Sequence, residues 1–192
     1  MPSFSSYLHN SLAVLQLTLD DQSLAVNMEH AIHATEAALS KGQPLLVCGN
    51  GGSASDAQHI AGELVGRFLI ERKALNVICL SDNAAVLTAL ANDYGYETVF
   101  SRQVEAYGQG GGVLLGLSTS GNSANVIQAF IKAKEYNMTT IALTGKGGGK
   151  LANYADILLE APSNATPLIQ QIHLMIYHYF CQEVEKRCAN SW

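Results

Sequence analysis

Asp56, His59, Glu63 and Arg67 recur at helical spacing. His59 and Glu63, four residues apart, share one helix face and can both reach one point. An imidazole and a carboxylate placed in this way are donors for a divalent metal, zinc foremost. The same spacing also describes a solvated polar stripe with local charge pairing. A second polar set lies near the C-terminus, where Gln170, His173 and His178 interrupt a run from Leu168 to Phe180 that is apolar on nearly every side. Such a run predicts a buried helix, started by Thr166 as N-cap and Pro167 as first helical residue. Its polar groups must find partners, and a core histidine bonded to a backbone carbonyl is the ordinary outcome. On a straight helix, ~12 Å of rise and ~80° of turn separate Gln170 from His178. Both reach one metal only if the first turn is irregular or the site is shared between chains.

Two turns carry the remaining chemistry. The apolar run Leu45–Cys48 leads into Gly49, Asn50, Gly51, Gly52 and Ser53, and then into a polar segment with Ile60, Leu64 and Phe68 at helical spacing. This is the pattern of a strand, a turn and a helix, with Ser53 as the expected cap and the helix start as an anion site. The second turn, Ser118-Thr119-Ser120-Gly121-Asn122-Ser123, offers four hydroxyl groups and no cation. Neutral donors at a helix start hold a phosphate reversibly. Gly49, Gly51 and Ala54 also satisfy a dinucleotide fingerprint, but Asp82 lies beyond the spacing expected of its ribose-binding acid. The segment Gly145–Lys150 lacks the Walker A spacing and reads as a flexible turn.

These residues need a scaffold. Leu8, Leu12, Leu15 and Leu19 predict one amphipathic helix, and Leu24, Met28, Ile32 and Leu39 a second, closed by Lys41-Gly42. Beyond them the chain predicts strands over about 45–49, 75–80, 112–117, 138–143 and 155–160. Helices are expected over about 53–66, 84–91, 97–107, 123–136 and 167–187. Helices separate most of these continuously apolar strands, so the expected fold is α/β: a five-stranded parallel sheet flanked by helices, with flavodoxin-like order 2-1-3-4-5. That order sets the loops after the first and third strands side by side at the switch point, where ligands bind.

Composition narrows the rest. The 192 residues suit one domain, with residues 1–40 as an N-terminal helical extension. Apolar residues make up 48% and charged ones 14%, so part of the apolar surface is expected to be covered by other copies of the chain. A net charge of -5 argues against a nucleic-acid surface. Cys48, Cys79, Cys181 and Cys188 form no metal or disulfide framework and read as reduced thiols in a cytoplasmic protein. Residues 1–19 read as neither a signal peptide nor a membrane span.

Taken together, Cys48–Ser53 with Asp56–His59 and Glu63, then Ala91–Gly95, then Ser118–Asn125, resemble the phosphoheptose isomerases of the sugar isomerase (SIS) domain family. The resemblance covers essentially the whole chain. It implies a homotetramer with one zinc per subunit that interconverts D-sedoheptulose 7-phosphate and D-glycero-D-manno-heptose 7-phosphate, the entry to heptose nucleotides for bacterial surface polysaccharide. Phosphate and sugar contacts then fall on Asn50, Gly51, Gly52 and Ser53, on Asn92 and Asp93, on Ser118, Thr119, Ser120 and Ser123, and on Gln170, with Glu63 beside them. The implied zinc ligands are His59, Glu63, Gln170 and His178. An enediol route needs a base and an acid, and the residue types assign these to Glu63 and His178. Where some members carry an acidic residue proposed to touch the sugar, this chain has Pro167. The alternatives are a non-catalytic SIS tetramer that binds the replication initiator, and an isomerase of another sugar phosphate.

Overall fold

The computed structural model describes residues 3–190. Five strands, β1 (Leu45–Gly49), β2 (Val77–Cys79), β3 (Val113–Ser118), β4 (Thr139–Thr144) and β5 (Ile157–Glu160), pair in parallel in the order β2-β1-β3-β4-β5. This is the order expected of the doubly wound sheet. β1 and β3 are buried along their whole length, because helices cover both faces. One layer holds α2 (Gln22–Ser40), α3 (Gly52–Val65) and α7 (Thr166–Asn190), and the other holds α4 (Ala84–Tyr94), α5 (Ser101–Tyr107) and α6 (Ala124–Glu135).

Several local expectations are corrected. Ser53 does not cap α3: the N-cap is Gly51 at φ 56°, and Ser53 is buried in the first turn. Gly49 and Ser53 approach so tightly that an added Cβ at Gly49 would lie 2.5 Å from Ser53 O, which leaves no room for a side chain there. Thr166 is already helical, and Ala165 O accepts from both Leu168 N and Ile169 N, so the helix starts a residue earlier than Pro167 predicts. The helix expected over 97–107 divides into a 3-10 turn at Tyr96–Thr98 and α5. The supposed flexible turn at 145–150 runs into a 3-10 helix over Gly149–Asn153, with Gly148 packed backbone to backbone on Gly121.

The N-terminal leucine stripe does form a helix, α1 (Phe4–Leu19), capped by Ser3, yet no residue of it is buried. On α7, Leu174, Met175 and Tyr179 are exposed as well, so this helix is not covered on every side within the chain. All four cysteines are free and buried, and burial raises their thiol pKa values, that of Cys79 to about 11. Among the described residues no helix is long and apolar enough to cross a membrane.

Candidate active site

The site is built on α3, which follows β1, and on α7, which packs against α3. α3 brings His59 and Glu63 to one face, with Nε2 of His59 2.9 Å from Oε1 of Glu63. α7 adds His178, so that one ligand atom from each of His59, Glu63 and His178 lies within 4.8 Å of the others. The His178 ring meets His59 and Tyr177 edge-on, at centroid distances of 5.1 and 5.0 Å. Arg67, the last member of the sequence stripe, points away to an exposed pair with Glu71 at 3.3 Å.

Behind His59 lies a chain of polar contacts. Its Nδ1 is 3.0 Å from the Tyr177 hydroxyl, which donates to Asp56 Oδ1 at 3.4 Å. With the hydroxyl proton turned toward Asp56, the Tyr177 oxygen accepts from Nδ1–H of His59, and Nε2 then faces Glu63 without a proton of its own. A nitrogen lone pair and a carboxylate oxygen 2.9 Å apart call for a shared proton or a cation between them. Burial raises the pKa of Asp56, and its buried Oδ2 has no hydrogen-bond partner among the described residues. Burial also raises that of Tyr177. Two imidazole nitrogens and a carboxylate oxygen, backed by a polar second layer, suit zinc.

Glu63 is held from below. Arg72, with a side chain 3% exposed, donates to Glu63 O at 3.0 Å and pairs with the fully buried Glu185 at 3.2 Å. Glu185 also accepts from the N–H groups of Phe68, Leu69 and Ile70. The Glu63 carboxylate itself bonds through Oε1, while Oε2 makes no hydrogen bond among the described residues.

The polar loops converge as the strand order requires. Ser118 Oγ and Ser123 Oγ are 2.9 Å apart across the turn after β3, and Gly121 takes φ 63° between them. Ser123 is the N-cap of α6 but makes no capping bond with its side chain. Thr119 is half-buried and Ser120 exposed, its Oγ accepting from Asn122 N at 3.1 Å. In the loop after β1, Gly51 and Gly52 have N–H groups with no acceptor among the described residues. Gln170 lies against Gly52 so closely that a Cβ there would collide with its amide. Asn92 and Asp93, exposed at the end of α4, are bonded to each other at 2.7 Å.

The structure therefore brings His59, Glu63 and His178 together, and Gln170, on the same continuous α7, lies against Gly52 of the first loop. His173 is not part of the cluster: it is fully buried, its Nε2 donates to Thr144 O at 3.0 Å, and burial lowers its pKa to about 4. Sequence reasoning missed Tyr177, Tyr96, Asn125, Arg72 and Glu185. Asn125 stood within the Ser118–Asn125 motif and Tyr177 within the apolar run from Leu168 to Phe180, but neither was given a role.

The SIS domain family model matches residues 6–145. A phosphoheptose isomerase from Helicobacter pylori is 48% identical over 170 residues, 88% of this chain and 88% of that protein. The chain belongs to the phosphoheptose isomerase family of SIS-domain proteins. It is thus an enzyme of the isomerase class. A solved phosphoheptose isomerase from Neisseria gonorrhoeae has a TM-score of 0.88 at 39% identity, covering 95% of this chain and 96% of that one. Another from Francisella tularensis reaches 0.90 at 36% identity, with the same coverage. None of these three is named as an initiator-binding or nucleotide-binding protein.

Proposed function

We propose that the chain interconverts D-sedoheptulose 7-phosphate and D-glycero-D-manno-heptose 7-phosphate. The observation that carries this reading is the layout of α3. Gly52, at its start, belongs to the anion-binding loop, and His59 stands seven residues, or ~10 Å, further along the axis with Glu63 beyond it. A sugar with phosphate at one end and carbonyl at the other spans such a pair of sites. Its phosphate is held by Ser118, Thr119, Ser120 and Ser123 with the Gly51 and Gly52 amides, and its hydroxyls by Ser53, Asn92, Asp93 and Gln170. Asn50 belongs to the same loop.

Glu63 is the base. Its Oε1 is tied to His59, which leaves Oε2 to take a proton from one carbon and return it to the neighbour. His178 moves the accompanying proton between the two oxygens, and the rings of His59, Tyr177 and Phe68 fix its position. His59, Glu63 and His178 would hold one zinc per subunit, which when bound would polarise the carbonyl oxygen. Gln170, which lies against Gly52 of the first loop, would be the fourth donor in an assembly whose subunits share the site. A homotetramer with shared sites agrees with the exposed apolar residues of α1 and α7, and a cytoplasmic location with four unpaired cysteines.

The test is turnover of sedoheptulose 7-phosphate beside five- and six-carbon ketose phosphates. The expected result is the highest kcat/KM on the seven-carbon sugar. Preference for a shorter sugar contradicts the substrate assignment and leaves the isomerase.

A further inference from the structure

Three segments far apart in sequence meet at one amide. Asn50 Oδ1 accepts from the Tyr96 hydroxyl at 2.8 Å and from Asn125 Nδ2 at 2.9 Å, while Asn50 Nδ2 donates to Asn125 Oδ1 at 2.9 Å. Asn50 opens the loop after β1. Asn125 lies in the first turn of α6, directly behind the Ser/Thr loop, and Tyr96 follows the Asn92-Asp93 pair beyond α4. Asn125 is 3% exposed, so the reciprocal amide pair is shielded from water on its side, whereas Tyr96 is 56% exposed.

We propose that Asn125 and Tyr96 are positioning residues, which clasp Asn50 and so fix the loop after β1 relative to the two other loops that grip the sugar phosphate. The proposal rests on the isomerase reading. Both acceptor positions of the Asn50 side chain are taken, and one of its two N–H donors. A ligand therefore meets this loop chiefly through the main-chain N–H groups of Gly51 and Gly52. Downstream, the loop is tied to α3, because Asn50 O accepts from Ser53 N at 3.0 Å and Gly51 O from Ala54 N at 3.0 Å and Ser55 N at 3.2 Å. Upstream, Gly51 at φ 56° leaves the chain freer to turn, and the clasp on Asn50 holds that side. Donors already aimed at an anion hold it without paying for reorganisation at each encounter.

The test uses Tyr96→Phe, which removes one hydroxyl at an exposed position, with Asn125→Ala beside it. Amide hydrogen exchange over residues 49–54 is followed in the ligand-free protein, and KM, kcat and the thermal midpoint are measured in parallel. Tyr96→Phe is expected to speed exchange in that loop and raise KM about fivefold, the effect of one lost hydrogen bond, with kcat and the midpoint held. Asn125→Ala, which removes both bonds of the amide pair, should raise KM further. Exchange and KM as in the parent protein overturn the proposal. So does a Tyr96→Phe variant whose kcat and midpoint fall together, since that is general loosening of the fold. A parent protein without turnover breaks the functional reading instead, and the exchange measurement then still decides the clasp.

Discussion

The two ends of the site are made of different materials. Around His59, Glu63 and His178 the side chains are titratable and half-exposed, with one carboxylate oxygen left open. Around Asn50, Ser118 and Ser123 they are neutral, and their hydrogen bonds run mostly to one another. The difference follows from the work. Moving a proton requires groups whose charge can change and which stay reachable, whereas holding a phosphate through many turnovers requires fixed dipoles that release it again. Substitutions at the two ends should accordingly separate kcat from KM.

The sharpest break is at Glu63. Glu63→Gln keeps the shape and removes the base, so kcat should fall ~1000-fold while phosphate binding by calorimetry is retained. A Gln variant with most of its turnover would remove Glu63 from that role. At the other end, Ser118→Ala takes a hydroxyl from a charged ligand and should raise KM by ~10- to 100-fold with kcat little changed. If kcat fell instead and KM held, the division between the two ends would be wrong. Tyr177→Phe probes the support behind His59. Without the hydroxyl, Nδ1 loses its partner, and zinc affinity measured by competition with a chelator should drop ~10-fold.

The smallest effect concerns a histidine that belongs to neither end. His173 has its pKa lowered to about 4 by burial, so below the ordinary value of 6.5 the unfolded chain takes up a proton that the folded chain refuses. Stability is full above pH 6.5 and is lost as pH falls toward 4. Between pH 6.5 and 5.5 the loss should be ~1 kcal/mol by urea unfolding, and absent in His173→Gln. An unchanged pH dependence in that variant would contradict the assignment.

Much of this was legible from residue order because it depends on short-range pattern. The sheet order followed from apolar runs alternating with helical spacing, and the pairing of the two polar loops followed from that order. His59 and Glu63 were visible at four residues' distance, and His178 from its place in an apolar helix. What pattern could not give were partners set by packing alone. Tyr177 meets His59 across 118 residues, and Asn125 meets Asn50 across 75. Tyr177 counted as one more apolar residue of α7, and Tyr96 fell just before the helix expected over 97–107, in what the structure makes a 3-10 turn. The Ser53 cap failed for a related reason, because Gly51 at positive φ enters the helix first.

The most direct measurement is the isomerase assay with sedoheptulose 7-phosphate on the protein as isolated, after chelation, and after zinc is added back. Activity that falls when metal analysis shows zinc removed, and returns with its replacement, is the expected result. A folded protein that converts no substrate in any of the three states would contradict the account.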